Sequence, residues 1–239
     1  MKRHLPNAVT CLNLLFGCLA LTQTFSSDAN GLVYSAYFVG LAAVADFLDG
    51  LVARALRVSS AIGKDLDSLA DMVSFGVVPG AILFKLLQKA AQSQVVDYAA
   101  LWQYLPYVGF LLTVFSALRL AKFNNDTRQT TSFIGLPTPA CTLVVASLPL
   151  ILAHDRFQVT PVILHPVVLL GLTVLLSGLL VAELPLFALK FKSLRWGDNR
   201  RRFIFILLAA GLLLALQAAA VPLVVLLYVL LSVPKSAAR

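Results

Sequence analysis

Long apolar runs, each close to the length of a bilayer crossing, recur along this chain of 239 residues and leave it few folds to adopt. A helix needs about 20 such residues to cross the hydrocarbon core. Runs of that length fall at 5–25, 32–53, 66–84, 99–118, 136–153 and 162–182, the fifth opening at a turn from Gly135 through Pro137 to Pro139. Residues 203–233 are long for one upright crossing and short for two, and Gln217 and Pro222 point to a tight hairpin with passes at 203–219 and 221–233. With 59% hydrophobic and 13% charged residues and a mean hydropathy of +0.88, an ordinary soluble domain is excluded. The first run lacks a clear small-residue cleavage site and is read as a retained helix rather than a signal peptide. The expected fold is all-α: one polytopic membrane helix bundle over residues 1–239, with about eight transmembrane helices and no repeat or separate soluble domain.

The net charge of +8 is explained by where the cations sit, not by nucleic acid. Sixteen of the nineteen lysines and arginines fall at the ends and loops on the side of the N-terminus, among them Arg54, Arg57, Lys64, Arg119, Lys122 and the group from Lys190 to Arg202. Lys85, Lys89 and Arg156 alone fall on the other side. The positive-inside rule then places both termini at the cytoplasmic face of the membrane. The run from Lys190 to Arg202, with Trp196 within it, reads as an interfacial segment on anionic lipid. Cys11 and Cys18 are seven apart, about 10 Å along a helix, too far for a disulfide, and with Cys141 they read as packing residues.

Against this background one stretch is out of place. It reads Asp46-Phe-Leu-Asp49-Gly50-Leu-Val-Ala53-Arg54, then eight residues, then Gly63-Lys-Asp-Leu-Asp67-Ser-Leu-Ala-Asp71. Each pair of acids shares one helical face, and both pairs are flanked by apolar helix, where carboxylates are costly and mark function. A hairpin joining the two helices gathers all four acids, which then repel one another unless they protonate or share a cation. An all-oxygen donor set suits a hard ion such as Mg²⁺, Mn²⁺ or Ca²⁺. Gly50 and Ala53 remove bulk beside the acids, Gly63 lets a ligand approach the backbone, and Arg54 offers a guanidinium fork to a phosphate. Together these describe a diphosphate site near the cytoplasmic ends of two helices. It is open to a soluble nucleotide from one side and to a lipid from the bilayer.

The pattern D-x2-D-G-x2-A-R-x8-G-x3-D-x3-D is met at every fixed position, and it resembles the signature of the CDP-alcohol phosphatidyltransferases. The resemblance implies a six-helix catalytic core over about residues 1–182, with the hairpin near 203–233 as an addition. It also implies transfer of a phosphatidyl group from CDP-diacylglycerol to an alcohol with release of CMP. Asp46, Asp49, Asp67 and Asp71 would hold two divalent cations, Mg²⁺ or Mn²⁺, and Asp71 would act as base. The nucleotide would lie against Asp49, Gly50, Ala53, Arg54, Gly63 and Asp67. The first helix, Leu-Pro6-Asn7-Ala-Val-Thr10-Cys-Leu-Asn13, carries a polar stripe that otherwise reads as interhelical hydrogen bonding. Its resemblance to the family's first helix implies that Asn7 and Thr10 hold the cytidine nucleotide and leaves Asn13 open.

Three stretches resemble the branch of the family whose acceptor is L-serine: Asp67 to Pro79, Ser116 to Asn125, and Phe133 to Ala140. Arg119 and Asn124 then fall where the carboxylate of such an acceptor would be read, although snorkelling at a helix end accounts for Arg119 equally well. Glycerol 3-phosphate, inositol phosphate and choline remain alternative acceptors, since Arg119, Lys122 and Arg128 can furnish a basic pocket. Family resemblance also makes a homodimer an expectation. His154 and His165 fall on the far side from the acids and His4 is terminal, so histidine phosphotransfer has no support. A cation-coupled transporter is the rival of another class. It accounts for the acids but not for the spacing of Gly50, Arg54 and Gly63. Gly76 and Gly80 fit a G-x-x-x-G packing stripe, and Pro79 predicts a kink.

Overall fold

The computed structural model describes residues 4–58, 60–92, 103–125, 132–187 and 196–232. Helix α1 (His4–Thr24) shows how the bundle is driven together. Its buried positions are Pro6, Thr10, Asn13, Gly17, Ala20 and Thr24, one every three or four residues, so a single stripe faces inward. That stripe is small or polar, while Leu5, Leu12, Leu15 and Leu19 are exposed. In hydrocarbon an outward leucine costs nothing, and close backbone packing with internal hydrogen bonds holds helices together. Helix α2 (Gly31–Leu56) packs along α1, and the hydroxyls of Thr24 and Ser35, 2.7 Å apart, join the two near their connection.

The third pass is one continuous run of 32 residues, Ala61–Gln92. It consists of α3 (Ala61–Asp71), a π-helical turn (Met72–Val77) and α4 (Val78–Gln92). It begins five residues earlier than the expected start at 66, because the Ser60 side chain caps it by accepting from the Gly63 amide at 3.0 Å. Asp67 and Asp71 therefore sit inside the helix rather than at its mouth. The π turn lies just before Pro79, which has no N–H to donate back along the helix, and at its end the Val78 amide donates to the Val73 carbonyl, five residues back. Thr142 donates to the Phe75 carbonyl at 2.8 Å, and Thr113 donates to the Gly76 carbonyl at 2.9 Å. Neighbouring hydroxyls commonly satisfy backbone groups that proline frees in a membrane helix.

A 3-10 turn (Leu105–Phe110) leads into α5 (Leu111–Asn125). Of the expected fourth pass at 99–118, residues 99–102 lie outside the described residues, and the helix runs on to Asn125. The Gly76–Gly80 stripe packs against this pass, Gly76 facing Ser116 and Gly80 facing Thr113. A Cβ on Gly109 would lie 2.6 Å from the Phe84 amide nitrogen, so the two backbones nearly touch.

Helix α6 (Thr138–His154), the short α7 (Thr160–Ile163) and α8 (Pro166–Val181) follow. Two three-residue strands, β1 (Ser132–Ile134) and β2 (Pro185–Phe187), pair antiparallel with Phe133 opposite Leu186. This ribbon ties the linker before α6 to the linker after α8. Gly135, at φ 78°, turns the chain out of β1, and its amide donates to the Leu184 carbonyl at 2.9 Å.

Helix α9 (Trp196–Leu216), a 3-10 turn (Gln217–Ala219) and α10 (Ala220–Ser232) complete the described chain. The rings of Phe205 and Tyr228 lie 5.6 Å apart, although a straight helix would separate them by about 34 Å. The segment is thus the expected hairpin, breaking at Gln217 with φ 52°. The Tyr228 hydroxyl donates to the Phe187 carbonyl at 2.9 Å, fastening the hairpin to the ribbon. The passes follow the expected order in an all-α bundle. The fifth and sixth, α6 and α8, have only 17 and 16 residues, shorter than an unaided crossing requires. Lys2, Arg3, Arg128, Lys190, Lys192, Arg195, Lys235 and Arg239 lie outside the described residues, as do residues 190–195 of the expected interfacial segment and the side chain of Trp196.

Candidate active site

Helices α2 and α3 are joined by a short turn in which Arg57 adopts a left-handed conformation at φ 52°. That reversal sets the acidic end of α2 beside that of α3. Carboxylate oxygens of Asp46, Asp49 and Asp67 all lie within 4.8 Å of one another. Oxygens bound on opposite sides of one Mg²⁺ or Ca²⁺ are about 4 to 5 Å apart, so this donor set fits a hard divalent cation. Asp71 completes the cluster from the next turn of α3, its side chain within hydrogen-bonding reach of Asp46.

Helix α1 supports the cluster from the third side. Thr10 Oγ1 donates to Asp49 Oδ2 at 2.7 Å, and Asn13 Nδ2 donates to Asp71 Oδ1 at 3.2 Å. Both α1 residues are buried, Asn13 completely. The Ser74 hydroxyl donates to the Asn13 carbonyl at 3.0 Å, and Gly17 lies against Ser74, so α1 is locked to the π turn just beyond Asp71. One acid on each of α2 and α3 is thereby held by a neutral donor. These hydrogen bonds set the orientation of the two carboxylates.

A cavity of about 250 Å³ opens beside the acids, lined by Asn7, Thr10, Asp49, Gly50, Ala53, Gly63, Lys64 and Asp67, with Pro6, Val58 and Ser60. The two expected glycines act differently there. A Cβ on Gly50 would meet nothing closer than its own helix neighbour Arg54, at 3.8 Å, so the space above it belongs to the cavity. A Cβ on Gly63 would sit 2.9 Å from Ser60 Oγ and 3.0 Å from Asn7 Oδ1, so this glycine allows α3 to close against α1. Arg54 is exposed and is not part of the lining, although its guanidinium lies over Gly50 at the edge of the cavity.

Arg119 and Asn124 do not line this cavity. Arg119 is buried, with its guanidinium 5.6 Å from the Phe123 ring centroid. Asn124 Nδ2 donates to Ser68 Oγ at 2.8 Å, and Lys64 Nζ donates to the Asn124 carbonyl at 3.3 Å, so Asn124 clasps α5 to α3. Two roles were not read from sequence. In the sequence Lys64 reads only as a helix-end cation, and Asn13 stays open although its spacing from Thr10 places it on the same stripe.

Fold and site together define an integral-membrane helix bundle whose chemistry rests on carboxylates gathered around a cavity toward one end. A family model described as CDP-alcohol phosphatidyltransferase matches residues 3–182, and the chain belongs to that family. The CDP-diacylglycerol–serine O-phosphatidyltransferase of Helicobacter pylori is 29% identical over 211 residues, covering 87% of this chain and 80% of its own. The enzyme of the same name from Bacillus subtilis is 31% identical over 140 residues, covering 57% of this chain and 70% of its own. That from Saccharomyces cerevisiae is 33% identical over 147 residues, covering 59% of this chain and 52% of its own.

Proposed function

We propose that this protein transfers the phosphatidyl group of CDP-diacylglycerol to the hydroxyl of L-serine, giving phosphatidylserine and CMP. The observation that carries the reading is the convergence of Asp46, Asp49 and Asp67 on one point beside a cavity lined by Asn7, Thr10, Gly50, Ala53 and Gly63. The names of the relatives favour serine as acceptor.

Asp46, Asp49, Asp67 and Asp71 are the residues that would hold Mg²⁺ or Mn²⁺, with two ions as the family resemblance implies. When bound, such ions neutralise the diphosphate and favour departure of CMP. The chain's own residues do the rest. Asn7 and Thr10 on α1 face Gly50 and Ala53 on α2 across a gap suited to the cytidine end of the substrate. Lys64, and Arg54 at the rim, present positive charge to the phosphates. The serine hydroxyl attacks the phosphorus that carries the diacylglycerol, the bond from that phosphorus to the CMP oxygen breaks, and the hydroxyl proton passes to Asp71. Asn13 holds the Asp71 carboxylate in place for this. No serine or cysteine pairs with a histidine at the cluster among the described residues, which favours direct displacement. Arg119 is the cation proposed to read the acceptor carboxylate. Asn124, engaged with Ser68, positions α3. The distribution of lysine and arginine supports a cytoplasmic location for the site and both termini. A homodimer remains part of the proposal and is checked by the mass of the purified particle.

The test is the purified protein in detergent with CDP-diacylglycerol, Mg²⁺ or Mn²⁺, and each alcohol in turn, with CMP release measured. Release with serine, abolished by a chelator and restored by the metal, is the expected result. Release with glycerol 3-phosphate alone would reassign the acceptor, and no release with any alcohol would sink the reading.

A further inference from the structure

A second cavity lies at the other end of the bundle. It has a volume of about 200 Å³ and is lined by Tyr37, His154, Arg156, Phe157 and Gln217 among others. Tyr37 precedes Asp49 by twelve residues on α2, about 18 Å along the helix axis, so this cavity is remote from the acids. A groove of about 420 Å³ adjoins it and shares Ile151, Phe157, Leu216 and Ala219, its remaining lining being apolar residues such as Val162 and Leu223. The pair has the outline of a lipid: a polar mouth with a cation, continuous with an apolar channel between α6, α7 and the hairpin.

The charge at the mouth sets the occupant. Of the three cations on this side, Lys85 donates to Gln88 at 3.2 Å and lies over the Phe25 ring. Lys89 is exposed on α4 and lines neither space. Arg156 stands at the mouth, and among the described residues it makes no ion pair. The adjacent carboxylate is turned to the backbone instead, Asp155 Oδ1 accepting from the Val159 and Thr160 amides at 2.8 and 3.2 Å at the start of α7. The Arg156 guanidinium lies 5.7 Å from the Phe157 ring centroid, an arrangement that leaves its N–H fork available to a phosphate. We propose that this cleft binds one anionic phospholipid from the leaflet opposite the acid cluster. Its phosphate sits on Arg156 and one chain lies in the groove, bracing the hairpin of α9 and α10 against α6. A zwitterionic lipid fills the groove equally well, but its ammonium offsets the charge of its phosphate and weakens the attraction to the guanidinium.

The test is thermal unfolding of the full chain in an uncharged detergent, with dioleoyl phosphatidylglycerol, dioleoyl phosphatidylcholine or soluble glycerol 3-phosphate added. Phosphatidylglycerol is expected to raise Tm by about 5 °C at saturation, well above phosphatidylcholine, with no effect of glycerol 3-phosphate. In Arg156→Gln the two lipids should become equivalent, while Lys89→Gln, which removes a charge from the same side, should retain the preference. Val162→Trp, which fills the groove, should blunt the phosphatidylglycerol effect. Equal response of the native chain to both lipids, a preference surviving Arg156→Gln, or stabilisation by glycerol 3-phosphate alone would overturn the proposal.

Discussion

The hydroxyl of Thr142 on α6 donates to the carbonyl of Phe75 at 2.8 Å, in the π turn that precedes Pro79. The bond lies one turn beyond Asp71. It ties α6 to the part of the third pass that positions the acids. Thr142→Val removes this hydrogen bond between helices, a loss of about 0.5–1.5 kcal/mol. The expected outcome is a lowered Tm in detergent, restored by Thr142→Ser.

Thr10 and Asp49 form the corresponding contact at the cluster itself. Thr10→Val keeps the shape and removes the 2.7 Å hydrogen bond. Loss of such an outer partner costs about 10–100-fold in metal affinity or activity. Titration of activity against Mn²⁺ should show a raised half-saturating concentration, with Thr10→Ser close to the native value. Unchanged metal dependence would remove Thr10 from the supporting shell.

Asp71→Asn should abolish turnover while leaving CDP-diacylglycerol binding largely intact. Asn13→Leu, which removes the donor to Asp71, should lower kcat more than it raises KM for CDP-diacylglycerol. A variant at Asp71 that turns over normally would show that the base lies elsewhere.

The two motif glycines should separate cleanly. Gly50→Ala meets no obstacle in the fold and should leave Tm nearly unchanged, yet it intrudes on the cavity and should raise KM for CDP-diacylglycerol. Gly63→Ala presses on Ser60 and Asn7 and should lower both Tm and activity. Similar Tm losses in the two variants would contradict this division.

Gly135→Ala tests the ribbon. Its φ of 78° disfavours a side chain, and a Cβ would lie 2.8 and 2.9 Å from the carbonyls of Leu180 and Ala182. The strain alone is about 1–2 kcal/mol, so thermal unfolding should occur at a clearly lower temperature, with the metal dependence of activity retained.

The chain's local chemistry was enough for the bundle and for the acids. Hydrocarbon admits only backbones that bond internally, so apolar length alone reads as helix. Asp46, Asp49, Asp67 and Asp71 stand out because an unneeded charge there would be costly. Gln217 and Pro222 likewise mark the hairpin that the contact of Phe205 with Tyr228 closes.

Contacts between distant parts of the chain were not legible in this way. Nothing near Asn13 in the sequence identifies Asp71 as its partner, 58 residues away. Nothing near Pro79 names Thr142. Strands of three residues are too short to carry a pattern, so β1 and β2 emerged only with their pairing. Arg119 and Asn124 looked alike as polar residues at a helix end, and only packing separated a buried cation from a clasp on Ser68. Residue type and spacing determine which groups a helix presents. Which groups meet is decided by how the helices pack, since a hydrogen bond depends on distances that local sequence does not encode.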